Sequence, residues 1–195
     1  MEENDIPHQI ERCKNGDQQA FRLVVEKYQS QVFSLIFRII HDENDAQDLT
    51  QETFIRVWTN IKGYDSQKKF ITWVYRIATN LCFDKLKSAN YAKKKLTVGF
   101  ENLTHALLDL ETGERKLLNN ELGEIIRSLT EQLTPKQKIV FTLKDLEGFE
   151  AEEISKITFL SPQKIKSNLF LARKKIREKL ELYEPYMVKK NHSEK

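Results

Sequence analysis

Along the first 88 residues apolar side chains recur at three-to-four spacing, a period that suits a helix with one buried face and does not suit a strand. Phe21, Val24, Val25, Tyr28, Val32, Leu35, Ile36 and Ile39 make one such stripe, predicting a long amphipathic helix that ends near His41. Gly16-Asp17 closes a short helix before it, and Asp17 is placed to accept bonds from the free amides of the next first turn. Asn44 or Asp45 opens another helix with Ala46, Leu49, Phe54, Val57, Trp58 and Ile61 inward. After the turn cluster Lys62-Gly63-Tyr64-Asp65-Ser66, a fourth helix is predicted from about Lys68 to Ser88, burying Phe70, Trp73, Val74, Ile77, Ala78 and Leu81.

The pattern fails between Ser88 and about Leu118, which holds the run Lys93-Lys94-Lys95, Gly99, Gly113 and one modest apolar cluster, Leu103 to Leu110. So long a stretch without periodicity reads as a linker with one weak helix. Punctuation then returns. Leu122, Ile125, Ile126 and Leu129 form one helix, and Thr134-Pro135-Lys136-Gln137 is a capping-box start with Pro at the first helical position. That helix is expected to run through Ile139, Val140, Leu143 and Leu146 to Gly148. Glu150 to Ile157 follows, and Ser161-Pro162 starts a long last helix with Ile165, Leu169, Ala172, Ile176 and Leu180 inward. With no alternating run bounded by hairpin turns, the fold class is all-α: two small helical domains joined by a flexible linker.

Net charge is only +3, but it is unevenly placed. Residues 164–179 carry Lys164, Lys166, Arg173, Lys174, Lys175, Arg177 and Lys179 against the single acid Glu178. An acidic segment (Asp145, Glu147, Glu150, Glu152, Glu153) precedes them. Two short helices meeting at a tight turn, with positive charge on the second, are what a helix-turn-helix needs to set one helix in the DNA major groove. Ser161, Gln163, Lys164, Lys166 and Ser167 fall in the first turns, where base edges are read. Arg173, Lys174 and Arg177 lie farther along, suited to phosphates.

Two further surfaces stand out. Asp45, Asp48, Gln51, Glu52 and Arg56 share the outer side of their helix, which is either a solvated face or a protein-docking face. On the fourth helix, Thr72, Tyr75, Arg76, Thr79, Asn80, Phe83 and Lys87 mix aromatic, amide and basic groups opposite the core stripe. Such a surface can stack unpaired bases and hold phosphates. The four histidines (His8, His41, His105, His192) are scattered and no Glu-x-x-His motif occurs, so neither a metal site nor a cofactor is expected. No nucleophile elbow, P-loop or dinucleotide loop is present, and no residue is a candidate for catalysis. Cys13 and Cys82 lie outside any CxxC pair and read as reduced thiols. The acidic start Met-Glu-Glu-Asn-Asp and the absence of a long apolar run predict a cytoplasmic protein without membrane insertion.

The run Asp45-Ala-Gln-Asp-Leu-Thr-Gln-Glu-Thr-Phe-Ile-Arg-Val-Trp58, followed by Phe70-x-x-Trp73-Val-x-x-Ile77-Ala-x-Asn80-x-x-x-Asp84-x-Leu86-Lys87, resembles the promoter-reading half of an extracytoplasmic-function (ECF) sigma factor. The second half is similar too: Leu129-Thr-x-x-Leu-Thr-Pro135-x-Gln137-x-x-Val140-Phe-x-Leu143-x-Asp145-x-Glu147-Gly148, then Glu153-Ile154 and Lys166-Ser167. The resemblance spans about Phe21 to Leu180. It implies region 2 over residues 1–88, a linker over 89–118 and region 4 over 119–195. It further implies that the Asp45–Trp58 helix docks on the β′ clamp of core RNA polymerase through Asp45, Asp48, Gln51, Glu52 and Arg56. The loop 62–69 and the next helix would capture a base of the minus-ten element, with Tyr64, Arg76, Asn80 and Lys87 nearby. The Ser161 helix would read the minus-thirty-five element through Ser161, Gln163, Lys164, Lys166, Ser167, Arg173 and Lys174. Promoter DNA, core polymerase (β′ clamp and β flap) and an anti-sigma factor are the implied partners, and polymerase supplies the chemistry.

Three departures are specific to this chain. Phe159 stands where the family usually has Gly in the helix-turn-helix, so the turn either takes another geometry or packs Phe159 inward. Asn168 and Leu171 occupy commonly basic positions. Lys87 replaces the usual Arg with a point charge that lacks a bidentate fork. Two other functional classes fit the residues less well: a free-standing helix-turn-helix regulator that binds its operator without polymerase, and a helical metalloenzyme.

Overall fold

A computed structural model describes residues 5–88 and 126–190, with side chains of the last helix described as far as Glu181. The linker expected over 89–118 lies outside the described residues, as do Leu122 and Ile125. Four helices build the N-terminal half: α1 (Ile6–Lys14), α2 (Gln18–Ile40), α3 (Glu43–Asn60) and α4 (Phe70–Lys87), with a short 3-10 turn over Ile61–Gly63 between the last two. After a helical turn at 126–130 come α5 (Pro135–Phe141), a π-helical segment over Thr142–Leu146, α6 (Ala151–Thr158) and α7 (Pro162–Lys190). No strand occurs among the described residues.

Each boundary has a local cause. Asp17 caps α2 by accepting from the amides of Gln19 (2.9 Å) and Ala20 (3.1 Å), while Arg12 donates to the same carboxylate. The Ala20 amide first, and Arg12 next, hold the Asp17 carboxyl below its ordinary range. That stabilisation is therefore present at neutral pH and is lost as the pH falls through the lowered value. His41 ends α2 in the left-handed conformation, its amide donating to the Phe37 carbonyl at 2.8 Å. Asp42 caps α3, two to three residues earlier than the expected opening at Asn44 or Asp45. Thr134 and Gln137 close the predicted capping box of α5.

The single helix expected from Pro135 to Gly148 is instead divided. The Glu147 amide bonds back five residues to the Thr142 carbonyl, and the Phe149 amide bonds to Leu143. This wider turn leaves the hydroxyl of Thr142 buried without a hydrogen-bond partner. Gly148, at φ 75°, then supplies the left-handed step that α6 needs in order to begin.

Packing joins the two halves more closely than the sequence suggests. Helix α4 lies against α2 and α3 on one side and against α5 and α6 on the other. One continuous apolar cluster includes Val24, Leu35, Val57, Val74 and Ala78 of the N-terminal half together with Val140, Leu143, Ile154, Ile157 and Ile165 of the C-terminal half. Tyr75 and Thr79, expected on an open surface, are only 5% and 2% exposed. Phe149 meets Tyr75 edge-on at 5.6 Å, which explains the burial: the second half of the chain covers what the first half leaves bare. Burial, with Glu147 adding to it, pushes the Tyr75 phenol up to about 12. Cys13 and Cys82 are buried and free, and burial pushes the Cys13 thiol up to about 11.

Replacing Thr142 by Val removes a buried hydroxyl that bonds to nothing while keeping the side-chain shape. Thermal or denaturant unfolding should show the Thr142→Val protein more stable by about 1 kcal/mol. A loss of stability would mean that the hydroxyl has a partner in solution.

Candidate functional site

The predicted residues fall into three groups. On α3, Asp48, Gln51 and Arg56 are exposed, and Arg56 Nε donates to Glu52 at 2.7 Å across one helical turn. Asp45 departs from this ridge. Its carboxylate, 16% exposed, takes the Lys85 ammonium at 2.7 Å and so ties the start of α3 to the end of α4. The outward ridge is therefore Asp48, Gln51, Glu52 and Arg56.

Beside the ridge runs a groove of about 530 Å³ between α2 and α3, lined by Phe21, Val25, Gln51, Phe54, Ile55 and Trp58 among others. The Phe21 ring lies 4.8 Å from that of Trp58 and 6.5 Å from that of Phe54. Ile55 is 60% exposed at its edge. Sequence reasoning missed this groove because Phe21, Val25 and Trp58 sit on the apolar stripe and read as core. Ile55, an apolar residue amid polar ones on the outer side of α3, was the signal.

On α4, Arg76, Asn80 and Lys87 recur at helical spacing along one stripe. Asn80 and Lys87 are exposed, and the Lys87 ammonium sits 5.0 Å from the Phe83 ring. Tyr64 is turned inward. Only 7% exposed, it donates its hydroxyl to the Lys68 carbonyl and packs edge-on to Phe70 at 5.1 Å and tilted on Trp73 at 5.1 Å. Tyr64 thus anchors the loop 62–69 and does not present its ring to solvent. Asp65 stiffens the same loop by accepting from the Gln67 amide at 3.0 Å and pairing with Lys68 at 3.2 Å. Those contacts, the Gln67 amide first, hold its carboxyl below the ordinary range.

The third group belongs to α6, α7 and the turn between them. Phe159 does take the left-handed conformation (φ 55°, ψ 18°), so the turn keeps the geometry that Gly would give it. For a bulky residue this costs about 1–2 kcal/mol. Neighbouring groups hold it there: the Phe159 amide donates to the Ser155 carbonyl at 2.9 Å, Ser155 Oγ to the Leu160 carbonyl at 2.9 Å, and the Leu160 amide to Thr158 Oγ1 at 3.3 Å. The ring does not pack inward. It is 71% exposed, and the Arg76 guanidinium of α4 lies over it at 5.2 Å.

Helix α7 begins beyond that turn, with Ser161 Oγ accepting from the Lys164 amide at 3.4 Å. Ser161, Gln163, Lys164, Lys166 and Ser167 are all exposed. The basic residues farther along divide by face. Arg173 makes a two-pronged ion pair with Asp145 (Nε 3.0 Å, Nη2 2.6 Å), clamping α7 to the π-helical segment. Lys175 donates to the Gln132 carbonyl and Gln137 Oε1, and Lys179 to the Ser128 carbonyl. Lys164, Lys166, Lys174 and Arg177 remain on the exposed side. A charge run read from sequence as one surface is thus two: an outward group, and a group tied back to the rest of the domain by an ion pair and hydrogen bonds, in which the Arg173 side chain still stays half-exposed. Phe170, 67% exposed, and Leu171, 44% exposed, also lie on the surface of α7.

Among the described residues, no group of three or more His, Cys, Asp or Glu side chains could hold a metal ion. No described helix is long and apolar enough to cross a membrane.

Comparison with known proteins agrees with this layout. Residues 24–91 match the family described as sigma-70 region 2, and residues 123–176 match sigma-70, region 4. The chain is 32% identical over 180 residues to the ECF RNA polymerase sigma factor SigW of Bacillus subtilis, covering 90% of this chain and 96% of that one. In fold it is similar to CnrH, solved in complex with the cytosolic domain of CnrY (TM-score 0.63, 18% identity, 90% of this chain and 97% of that one). It is also similar in fold to the sigma factor RpoE of Bartonella quintana, solved with the anti-sigma factor NepR (TM-score 0.57, 18% identity, 83% and 96%). With both regions in order and a relative matched over nearly its full length, the chain belongs to the ECF branch of the sigma-70 family of RNA polymerase sigma factors.

Proposed function

We propose that this sigma factor divides its task among the three surfaces just described. As a member of its family it directs promoter-specific initiation by core RNA polymerase. The observation that carries the finer assignment is the start of α7, where Ser161, Gln163, Lys164, Lys166 and Ser167 project together from a capped helix after a tight turn. That end of a helix fits the major groove, with side chains in reach of base edges. It reads the minus-thirty-five element. Lys174 and Arg177 bind flanking phosphates, while Arg173 orients the helix through Asp145.

The α4 stripe reads the minus-ten element: Arg76 and Lys87 hold phosphates and Asn80 meets a base edge. Tyr64 acts on that site indirectly, by shaping the loop 62–69. The α3 ridge of Asp48, Gln51, Glu52 and Arg56 docks on the β′ clamp, and region 4 meets the β flap. Residues 1–88 and 119–195 are the two working domains, with 89–118 between them. The protein acts in the cytoplasm, where its polymerase is, and takes no catalytic part, since bond formation belongs to polymerase. Bartonella quintana RpoE is found with an anti-sigma factor, and a protein of that kind is a partner here as well.

The test is transcription in vitro. The purified chain with core polymerase should initiate at specific sites in a promoter library that core alone ignores. Equal transcription by core alone would remove the reading.

Two substitution sets probe the assignments. Asp48→Lys should weaken core binding at least about tenfold, or about 1.4 kcal/mol, with an unchanged melting temperature, because the side chain is exposed. Unaltered affinity by titration would take Asp48 off the docking face. Among the basic residues, Lys164→Ala should change the preferred upstream sequence by about 1–2 kcal/mol at one position. Lys174→Ala should weaken all sequences alike and flatten the salt dependence. Arg173→Ala should weaken all sequences alike and lower the melting temperature, but leave the salt dependence unchanged. Binding selections over a sequence library, with melting curves alongside, separate the three.

A further inference from the structure

Two large apolar side chains stand on the outward side of α7. Phe170 is 67% exposed and Leu171 44%, whereas Ile165 and Leu169 of the same helix join or pack against the apolar cluster. Helical spacing sets the exposed pair among the residues that project at the start of the helix. Phe170 lies one turn beyond Lys166 and Ser167, Leu171 one turn beyond Ser167, and Lys174 one turn beyond both. A single exposed apolar residue is ordinary. Two in succession, on a face otherwise made of Gln163, Lys164, Lys166, Ser167 and Lys174, suit a ligand that is charged at its edges and carries apolar groups within.

Nearby polar groups are partly committed elsewhere. The Ser167 hydroxyl donates to the Lys164 carbonyl at 3.1 Å, and the Asn168 amide donates to the same carbonyl at 2.7 Å. Ser167 is thereby left an acceptor. The rotation of α7 about its own axis is also fixed. Arg173 grips Asp145 on one flank, while Lys175 and Lys179 bond to the Gln132 and Ser128 carbonyls on the other. Phe170 and Leu171 are therefore presented at a set angle.

In the major groove a base pair offers one apolar group, the 5-methyl of thymine. Leucine and phenylalanine have no side-chain donor or acceptor. Against the polar edges of guanine, cytosine or adenine they strip water and return no hydrogen bond. Against a thymine methyl they bury apolar area on both sides. We propose that Leu171, with Phe170 beside it, makes thymine the selected base at two positions of the minus-thirty-five element, by contact with the methyl groups and by rejection of the other bases. From Lys164 to Leu171 the helix rises about 10 Å, the length of about three base pairs, so both thymines lie that close to the base met by Lys164. Lys164, Lys166, Lys174 and Arg177 surround the pair with positive charge, which favours a duplex over an apolar protein surface as its cover.

This inference rests on the assignment of α7 to the minus-thirty-five element, and its test lets the two fail separately. Holoenzyme, formed from the full chain and core polymerase, selects promoters from a library randomised upstream. Each upstream thymine of a selected promoter is then replaced singly by deoxyuridine, which lacks only the methyl. Binding should weaken about fourfold at each of two positions, as expected for one methyl group kept from burial. Leu171→Ala should abolish the effect at one position and Phe170→Ala at the other, with melting temperatures unchanged because both side chains are exposed. Leu171→Arg should exchange the preferred thymine for guanine, whose O6 and N7 accept both prongs of a guanidinium. Selected elements without a recurring thymine, or equal tolerance of deoxyuridine at every upstream thymine, would overturn the inference. So would alanine variants that keep the sensitivity of the unmodified chain. Alanine variants that lose affinity for core polymerase with the deoxyuridine effect intact would place the pair on a protein interface instead, which also overturns it. Absence of any upstream base preference in the selection would remove α7 as a reader altogether, and this inference with it.

Discussion

Helix α4 is buried around more of its circumference than its two N-terminal neighbours, α2 and α3, can cover. Val74 and Ala78 are fully buried, and Leu81 is 6% exposed, but Tyr75, Thr79 and Cys82 on adjoining positions are just as inaccessible. A helix buried on opposite sides needs neighbours on opposite sides. Here α2 and α3 serve one side and α5 and α6 the other. The rest of the arrangement follows from this. The C-terminal half has a place to sit, the apolar cluster becomes continuous, and the polar residues along the seam (Arg38, His41, Lys69, Glu147, Glu153) find partners across it. Ion pairs of that exposure add at most about 1 kcal/mol each. Apolar burial supplies the attraction, and the charges set the register.

The same logic sorts the charged residues elsewhere. Asp45 and Arg173 look from spacing alone like members of outward-facing groups, yet each is spent on an ion pair within the fold, with Lys85 and Asp145. Arg173 is suited to this because its guanidinium fork meets both carboxylate oxygens at once, fixing an angle as well as a distance. The lysines beside it reach past the helix edge to backbone carbonyls. A basic helix can therefore be held firmly by part of its positive charge and still present the rest to solvent.

Much of the fold was legible beforehand because its signals are local. Asp17, Thr134-Pro135, Gly148 and Ser161-Pro162 act within a turn of where they stand, and each ends or begins a helix close to the expected residue. The π-helical step after Phe141 was not legible, since it depends on which side chains the neighbouring helices admit. Tyr64 shows the limit differently. As an aromatic residue in a turn cluster it resembles a base-stacking group, but Phe70 and Trp73 lie close enough to take it into their own cluster.

From sequence alone came the all-helical class, the order of the helices, the helix-turn-helix and the family. These rest on period, capping and motif, all encoded over short distances along the chain. Tertiary structure alone decided which face of α4 is available, which basic residues of α7 point outward, and how Phe159 reconciles a strained turn with an aromatic ring. Those outcomes depend on contacts between residues far apart in the chain, such as Arg76 with Phe159 and Arg38 with Glu147. No local pattern specifies which distant surface will come to rest against a given helix.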